Sequence, residues 1–240
     1  MYVTDKVFLH MVKSAGISVH TALITSGQDI HYNQRHASIE HLPERFRHLP
    51  RYGVIRKPED WYESFYRFFI NVPGYMSFML NDPLPKDKNG EIFIAPIEFN
   101  EFVKRSMNLK ETLIKYPNKA RVFNNILRSQ GNIHFVCGYF KEGINLKAIE
   151  AGDYKSLEQF DMSLFEWFYR GCGMHTSTNI PMNKLSDVEA LFDIEIGHEN
   201  RTETKKVNSN YTRSTLKLVQ KIDKKFYNEI ENYISEDVIW

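Results

Sequence analysis

A chain of 240 residues with 42% hydrophobic content is long enough to bury one sizeable core, so a single domain spanning residues 1–240 is the expectation. Thirty-one Lys and Arg against thirty Asp and Glu leave a formal net charge of +1, which excludes a global field suited to nucleic acid or an anionic membrane and makes any anion site a local one. Two cysteines, Cys137 and Cys172, are too few for a disulfide framework, and no run of about 18 apolar residues marks a membrane span.

The first apolar run, Val7 to Leu9, begins close to Met1 with no basic, apolar leader ahead of it, and together with the cysteine usage this gives a cytoplasmic expectation. The run passes through Lys13, Ser14, Ala15 and Gly16 into a helix predicted from Ser18. Strand, small-residue turn and helix in that order leave the first helical N–H groups unpaired beside a lysine, which is an anion cradle. The order differs from a Walker loop, where the lysine follows the second glycine, because Lys13 precedes Gly16.

After a polar turn at Ser26 to Asp29, the histidine-rich tract from His31 to Tyr52 carries Ile39, Leu42, Phe46 and Leu49 at roughly helical spacing, which predicts a short helix or two turns. A second apolar strand then ends at Arg56, and a helix rich in aromatics is expected from near Glu59. Ser64, eight positions after Arg56, lies about two turns into that helix and can face back toward the strand end. Arginine at a strand's carboxyl end and serine on the next helix form a second anion pocket beside the first.

At these residues the chain resembles the sulfotransferases that use 3′-phosphoadenosine 5′-phosphosulfate (PAPS), in particular their membrane-type carbohydrate branch. Lys13 to Ser18 is similar to the family's PK[ST]xGTS loop for the 5′-phosphosulfate, and Arg56 to Ser64 to its R-[DN]-P-x5-S element for the 3′-phosphate. Val12, Ile17 and Lys57 depart from the usual proline, threonine and Asp or Asn. His36, within Arg35-His36-Ala37-Ser38, matches a [KG]HAT-like segment whose histidine is a candidate general base, with Glu40 and His41 as rivals. Asn200-Arg201-Thr202 resembles the stretch before the family's closing loop, so Arg201, Lys205 and Lys206 are expected to offer charge over the nucleotide.

Between these motifs, Tyr62, Phe65, Tyr66, Phe68 and Phe69 are expected to pack mostly in the core, and Asn81 to Gly90 to form a solvent loop. Helices are predicted over Ile97 to Met107, over Lys110 to Gln130 with a break at Pro117, and over Lys184 to Phe192; Ile133 to Cys137 reads as a buried strand. Cys172 and His175 have no second ligand pair, so no metal is assigned. From Thr212, a candidate cap, Leu216, Val219, Ile222, Phe226 and Ile230 predict one long amphipathic helix.

The resemblance implies an α/β, three-layer, P-loop-like sulfotransferase fold with a short parallel sheet flanked by helices. It implies PAPS as co-substrate, 3′,5′-adenosine bisphosphate as product and a hydroxyl of a carbohydrate or small metabolite as acceptor; no metal is expected, since the lysine and backbone dipoles meet the charge, and the balanced charge and hydropathy predict neither a nucleic-acid partner nor a membrane span. Lys13 and His36 would be catalytic. Ser14, Ala15, Gly16, Ile17, Ser18, Arg56, Ser64, Arg201, Lys205 and Lys206 would join Lys13 in holding the nucleotide. A P-loop-like nucleotide kinase and a non-catalytic nucleotide-binding protein of the same fold are the alternatives.

Overall fold

A computed structural model of the chain describes residues 1–33, 39–71, 97–115, 148–149, 151–158, 160–197 and 209–233. Among these, five short strands form one sheet: β1 (Tyr2–Val3), β2 (Val7–Leu9), β3 (Tyr32–Asn33), β4 (Arg51–Ile55) and β5 (Thr178–Pro181), in the order β3-β1-β2-β4-β5. The helices are α1 (Gly16–Thr25), α2 (Pro58–Asn71), α3 (Phe99–Met107), α4 (Leu109–Lys115), α5 (Leu164–Gly171), α6 (Leu185–Phe192), α7 (Arg213–Ile222) and α8 (Lys224–Glu231). None of the described helices is long and apolar enough to cross a membrane.

The expected all-parallel sheet is corrected to a mixed one. β2, β4 and β5 run parallel, with Val7 opposite Arg51 and Tyr52 opposite Thr178, whereas β1 is antiparallel to both β2 and β3. The cause is chain length: only Thr4 to Lys6 join β1 to β2, and a parallel return needs a crossover of a dozen or so residues. α1 supplies part of such a crossover between β2 and β4, and α2 begins another toward β5.

Alternation along the strands divides the core. Phe8, Tyr52, Val54 and Ile180 pack with Val19 and Leu23 of α1 and Val188 and Phe192 of α6, with Phe192 edge-on to both Phe8 and Tyr52. Val7, Leu9 and Ile55 join Trp61 and Phe65 of α2, Phe102 of α3, Phe165 of α5, Val219 of α7 and Phe226 of α8 in the larger cluster. Helices thus bury their apolar stripes against both faces of the sheet.

Several boundaries move. α1 starts at Gly16, two residues before the expected Ser18, and the Ile39 to Phe46 tract forms two 3-10 turns, Ile39–His41 and Glu44–Phe46. The single C-terminal helix is broken at Asp223 into α7 and α8, while Thr212 caps α7 by accepting from the Thr215 N–H. Asp223 is fully buried and receives hydroxyl hydrogen bonds from Tyr62 at 3.2 Å and Ser163 at 2.6 Å, so a tertiary network fixes the bend. Cys172 is a buried free thiol, pushed up to about 12 by burial. The expected strand Ile133 to Cys137 and the loop Asn81 to Gly90 lie outside the described residues.

Candidate anion-binding site

β2 and β4 are parallel neighbours inside the sheet, so the chain leaves both at the same, carboxyl end of the strands, toward Lys13 in one case and Arg56 in the other. The loop after β2 is tightly specified. Ser14 N–H donates to the Met11 carbonyl at 3.3 Å, and the Trp61 indole N–H of α2 donates to the Val12 carbonyl at 2.7 Å. Lys13 and Ala15 both adopt the left-handed conformation, with φ of 65° and 54°. Left-handed backbone costs a residue with a Cβ about 1 kcal/mol or more, and such strain concentrates where backbone N–H groups are turned toward a ligand.

Gly16 is required here for space. A Cβ on it would lie 1.7 Å from Cδ2 and 2.0 Å from Nε2 of His10, whose ring is only 2% exposed and stacks on Tyr2. The imidazole therefore occupies the volume that any other residue would claim at the start of α1. No side chain caps α1, and none of the Ala15, Gly16, Ile17 and Ser18 N–H groups has a backbone acceptor among the described residues. Ser14 adds a hydroxyl that is 1% exposed and lacks a hydrogen-bond partner among the described residues. A buried hydroxyl left unpaired costs about 1–3 kcal/mol, which an anion seated in the loop would recover.

Lys13 is half-buried with its ammonium 4.4 Å from the centre of the Phe68 ring on α2. Burial pushes its pKa below the usual lysine range, and the Arg56 guanidinium pushes it in the same direction, so the two cations are near enough to feel one another. Arg56 is also half-buried, and burial likewise disfavours its charge. Neither cation forms an ion pair within 4 Å among the described residues.

The groups acting on Arg56 besides burial are Asp60, Glu63 and Arg67 of α2. Their spacing of three and seven puts them on one helical stripe, and Ser64 belongs to that stripe as well, half-buried. Glu63 pairs with Arg67, and the Ser209 hydroxyl completes the group by donating to Glu63 at 2.8 Å and accepting from Arg67 at 3.0 Å. The carboxylate nearest Arg67 is thereby occupied by partners other than Arg56.

Of the residues expected from sequence, Lys13 to Ser18 and Arg56 follow the carboxyl ends of β2 and β4, and Ser64 lies on α2, on the helical stripe of Asp60 and Arg67. Ile17, where the resembled motif carries threonine, is 48% exposed. His36, Arg201, Lys205 and Lys206 lie outside the described residues; of the rival bases, Glu40 and His41 fall in the first 3-10 turn. Sequence reading missed Trp61, Phe68, Arg67 and His10 as parts of the site. Arg67 was detectable as the position three after Ser64, and His10 as the residue leaving β2, but the Phe68 and Trp61 contacts span about 50 positions and carry no local signal. Comparison with known protein families, with curated proteins and with solved structures finds no match to this chain.

Proposed function

We propose that the protein is a PAPS-dependent sulfotransferase, transferring a sulfuryl group to a hydroxyl of a carbohydrate or small metabolite, and that its α/β architecture is a three-layer P-loop-like sulfotransferase fold. The observation that carries the reading is the meeting of Lys13 and Arg56, two half-buried cations with no ion pair within 4 Å among the described residues, at the carboxyl ends of adjacent parallel strands; Asp60 and Glu63 act on Arg56 from α2, whereas the charged group acting on Lys13 is Arg56. Burial and the neighbouring guanidinium both disfavour the Lys13 charge, and an anion seated beside it would offset them. A donor carrying phosphate at both ends of one nucleoside meets that need, with the 5′-phosphosulfate over Lys13 to Ser18 and the 3′-phosphate at Arg56 and Ser64.

In this reading the acceptor oxygen attacks sulfur in line, the bond from sulfur to the 5′-phosphate oxygen breaks, and that oxygen leaves with the electron pair. Lys13 and the loop N–H groups face the charge growing on the leaving oxygen, a preorganised electrostatic role worth about 10²–10³ in rate. The acceptor's proton passes to a base, for which His36 is the candidate and Glu40 and His41 the rivals. Arg201, Lys205 and Lys206 are assigned to the nucleotide on the strength of their motif. PAPS is a co-substrate released as 3′,5′-adenosine bisphosphate, and the lysine and backbone dipoles supply the countercharge without a metal in this scheme.

The test has two stages. Isothermal titration should give tighter binding of 3′,5′-adenosine bisphosphate than of ATP with Mg²⁺, lost in Lys13→Ala and Arg56→Ala; preference for ATP with Mg²⁺ would overturn the reading in favour of a kinase. Radiolabelled PAPS with a panel of glycans and alcohols should then yield labelled product, reduced at least a hundredfold in Lys13→Ala. Binding without transfer to any acceptor would leave a non-catalytic nucleotide-binding protein.

A further inference from the structure

The inner face of α2 carries Trp61, Phe65 and Phe68 at spacings of four and three. Trp61 and Phe65 are fully buried, whereas Phe68 is half-buried, so the aromatic stripe rises out of the core at its last member. It surfaces beside the anion loop: Trp61 holds the carbonyl of Val12, and the Phe68 ring lies under the ammonium of the next residue, Lys13. One helix therefore grips the loop through its backbone and through its cation.

The electrostatics around Lys13 give the ring a purpose. The described charged groups facing Lys13 reduce to Arg56, which repels it. α1 contributes no lysine, arginine or carboxylate, with His20 as its titratable side chain, and its amino end is itself positive. Just after β2 comes His10, packed on Gly16, and from α2 come Asp60, Glu63 and Arg67, which act on Arg56. The negative face of an aromatic ring is then the one described group close to Lys13 that favours its charged form.

We infer that Phe68 is a positioning residue that holds the Lys13 side chain, as a cation, at the mouth of the anion loop before any anion arrives. This deepens the sulfotransferase reading and rests on it for the identity of the anion. The ring contributes no bond to the reacting atoms. It keeps the lysine in place and favours its charged form at the mouth of the loop.

Substitution of Phe68 removes that support, and the Lys13 pKa then falls further. The expected drop is about half a unit to one unit, the size of a partly exposed cation–π contact. The readout is trace labelling of the full-length protein with acetic anhydride across pH, with the Lys13 peptide quantified by mass spectrometry. Phe68→Leu and the unbranched Phe68→Met should bring the rise in Lys13 reactivity to lower pH, and Phe68→Tyr should restore the wild-type profile. In the wild-type protein, the Lys13 ε-proton resonances should be moved upfield by the ring, a measurement independent of whether any variant folds. Unshifted resonances, a Phe68→Leu profile equal to wild type, or a Phe68→Tyr profile equal to Phe68→Leu would each overturn the inference.

Titration with 3′,5′-adenosine bisphosphate separates this idea from the parent reading. Affinity for the anion falls once pH exceeds the Lys13 pKa of the free protein, so the alkaline decline should begin at lower pH in Phe68→Leu. Failure of the wild-type protein to bind the bisphosphate would overturn the donor assignment, and the labelling profile would still decide the role of Phe68.

Discussion

Gly16→Ala tests the anion loop at its tightest point. The new methyl would stand 1.7 Å from Cδ2 and 2.0 Å from Nε2 of His10, more than 1 Å inside ordinary contact. The ring has little room to retreat, being 2% exposed and stacked on Tyr2, whose own ring packs on Phe8 and on His20 at 4.7 Å. The start of α1 must therefore shift. Overpacking of this kind costs about 1–3 kcal/mol, and the alanine returns about 0.5–1 kcal/mol of backbone entropy, leaving a net loss of about 1–2 kcal/mol. For a chain of 240 residues this lowers Tm by about 2–8 °C. Binding should suffer more, because the Gly16 to Ser18 N–H groups move with the helix; the expected loss of bisphosphate affinity is at least about tenfold. Differential scanning calorimetry and isothermal titration measure the two effects. A double-mutant cycle with His10→Ala isolates the contact: with the imidazole gone, Gly16→Ala should cost almost nothing in either assay. Unchanged Tm and affinity in Gly16→Ala alone, or the same penalty in the His10→Ala background, would refute the steric argument.

Two other predictions address the core behind the loop. Burial pushes the Asp223 carboxyl up to about 7, while the Ser163 and Tyr62 hydroxyls hold it down. The folded chain then binds a proton that the unfolded chain has already lost, so stability falls as pH rises from about 4 to about 7, by up to about 4 kcal/mol from this group. Asp223→Asn should flatten that slope in urea midpoints measured across the interval, and an unaltered slope would place the titration elsewhere. Trp61→Phe leaves the Val12 carbonyl without its 2.7 Å partner, costing about 1–3 kcal/mol in chemical denaturation and weakening bisphosphate binding with it. Retained affinity in a destabilised Trp61→Phe would show that the loop keeps its shape without α2.

The features legible in the sequence were those whose chemistry is local. The strand, turn and helix around Lys13 announce themselves within a dozen residues, and the Thr212 cap and the α6 helix have signals of similar reach. β1 and β5 escaped because strands of two and four residues show no alternation, and β5 ends in a proline. The bend between α7 and α8 escaped for a different reason. The apolar spacing of Val219, Ile222, Phe226 and Ile230 continues straight through Asp223, and what interrupts the helix is a buried carboxylate answering Tyr62 and Ser163, about 160 and 60 positions away. Periodicity reports which face is buried; it says nothing of a polar group that tertiary partners draw inward.

The same distinction explains why α2 matters more than its motif suggested. In the sequence it is expected to supply one serine to one candidate phosphate pocket. In the fold, Trp61 fixes the Val12 carbonyl, Phe68 receives the Lys13 ammonium, Asp60, Glu63 and Arg67 set the field at Arg56, and Tyr62 ties the whole helix to Asp223. Both halves of the candidate anion site are thus referred to one element packed in the larger hydrophobic cluster. An anion bridging Lys13 and Arg56 is consequently expected to stabilise α2 along with the loop. Hydrogen exchange offers a direct check: saturating bisphosphate should slow exchange over Trp61 to Arg67 as well as over Ala15 to Val19, and protection confined to the loop would mean that the helix is only a neighbour of the site.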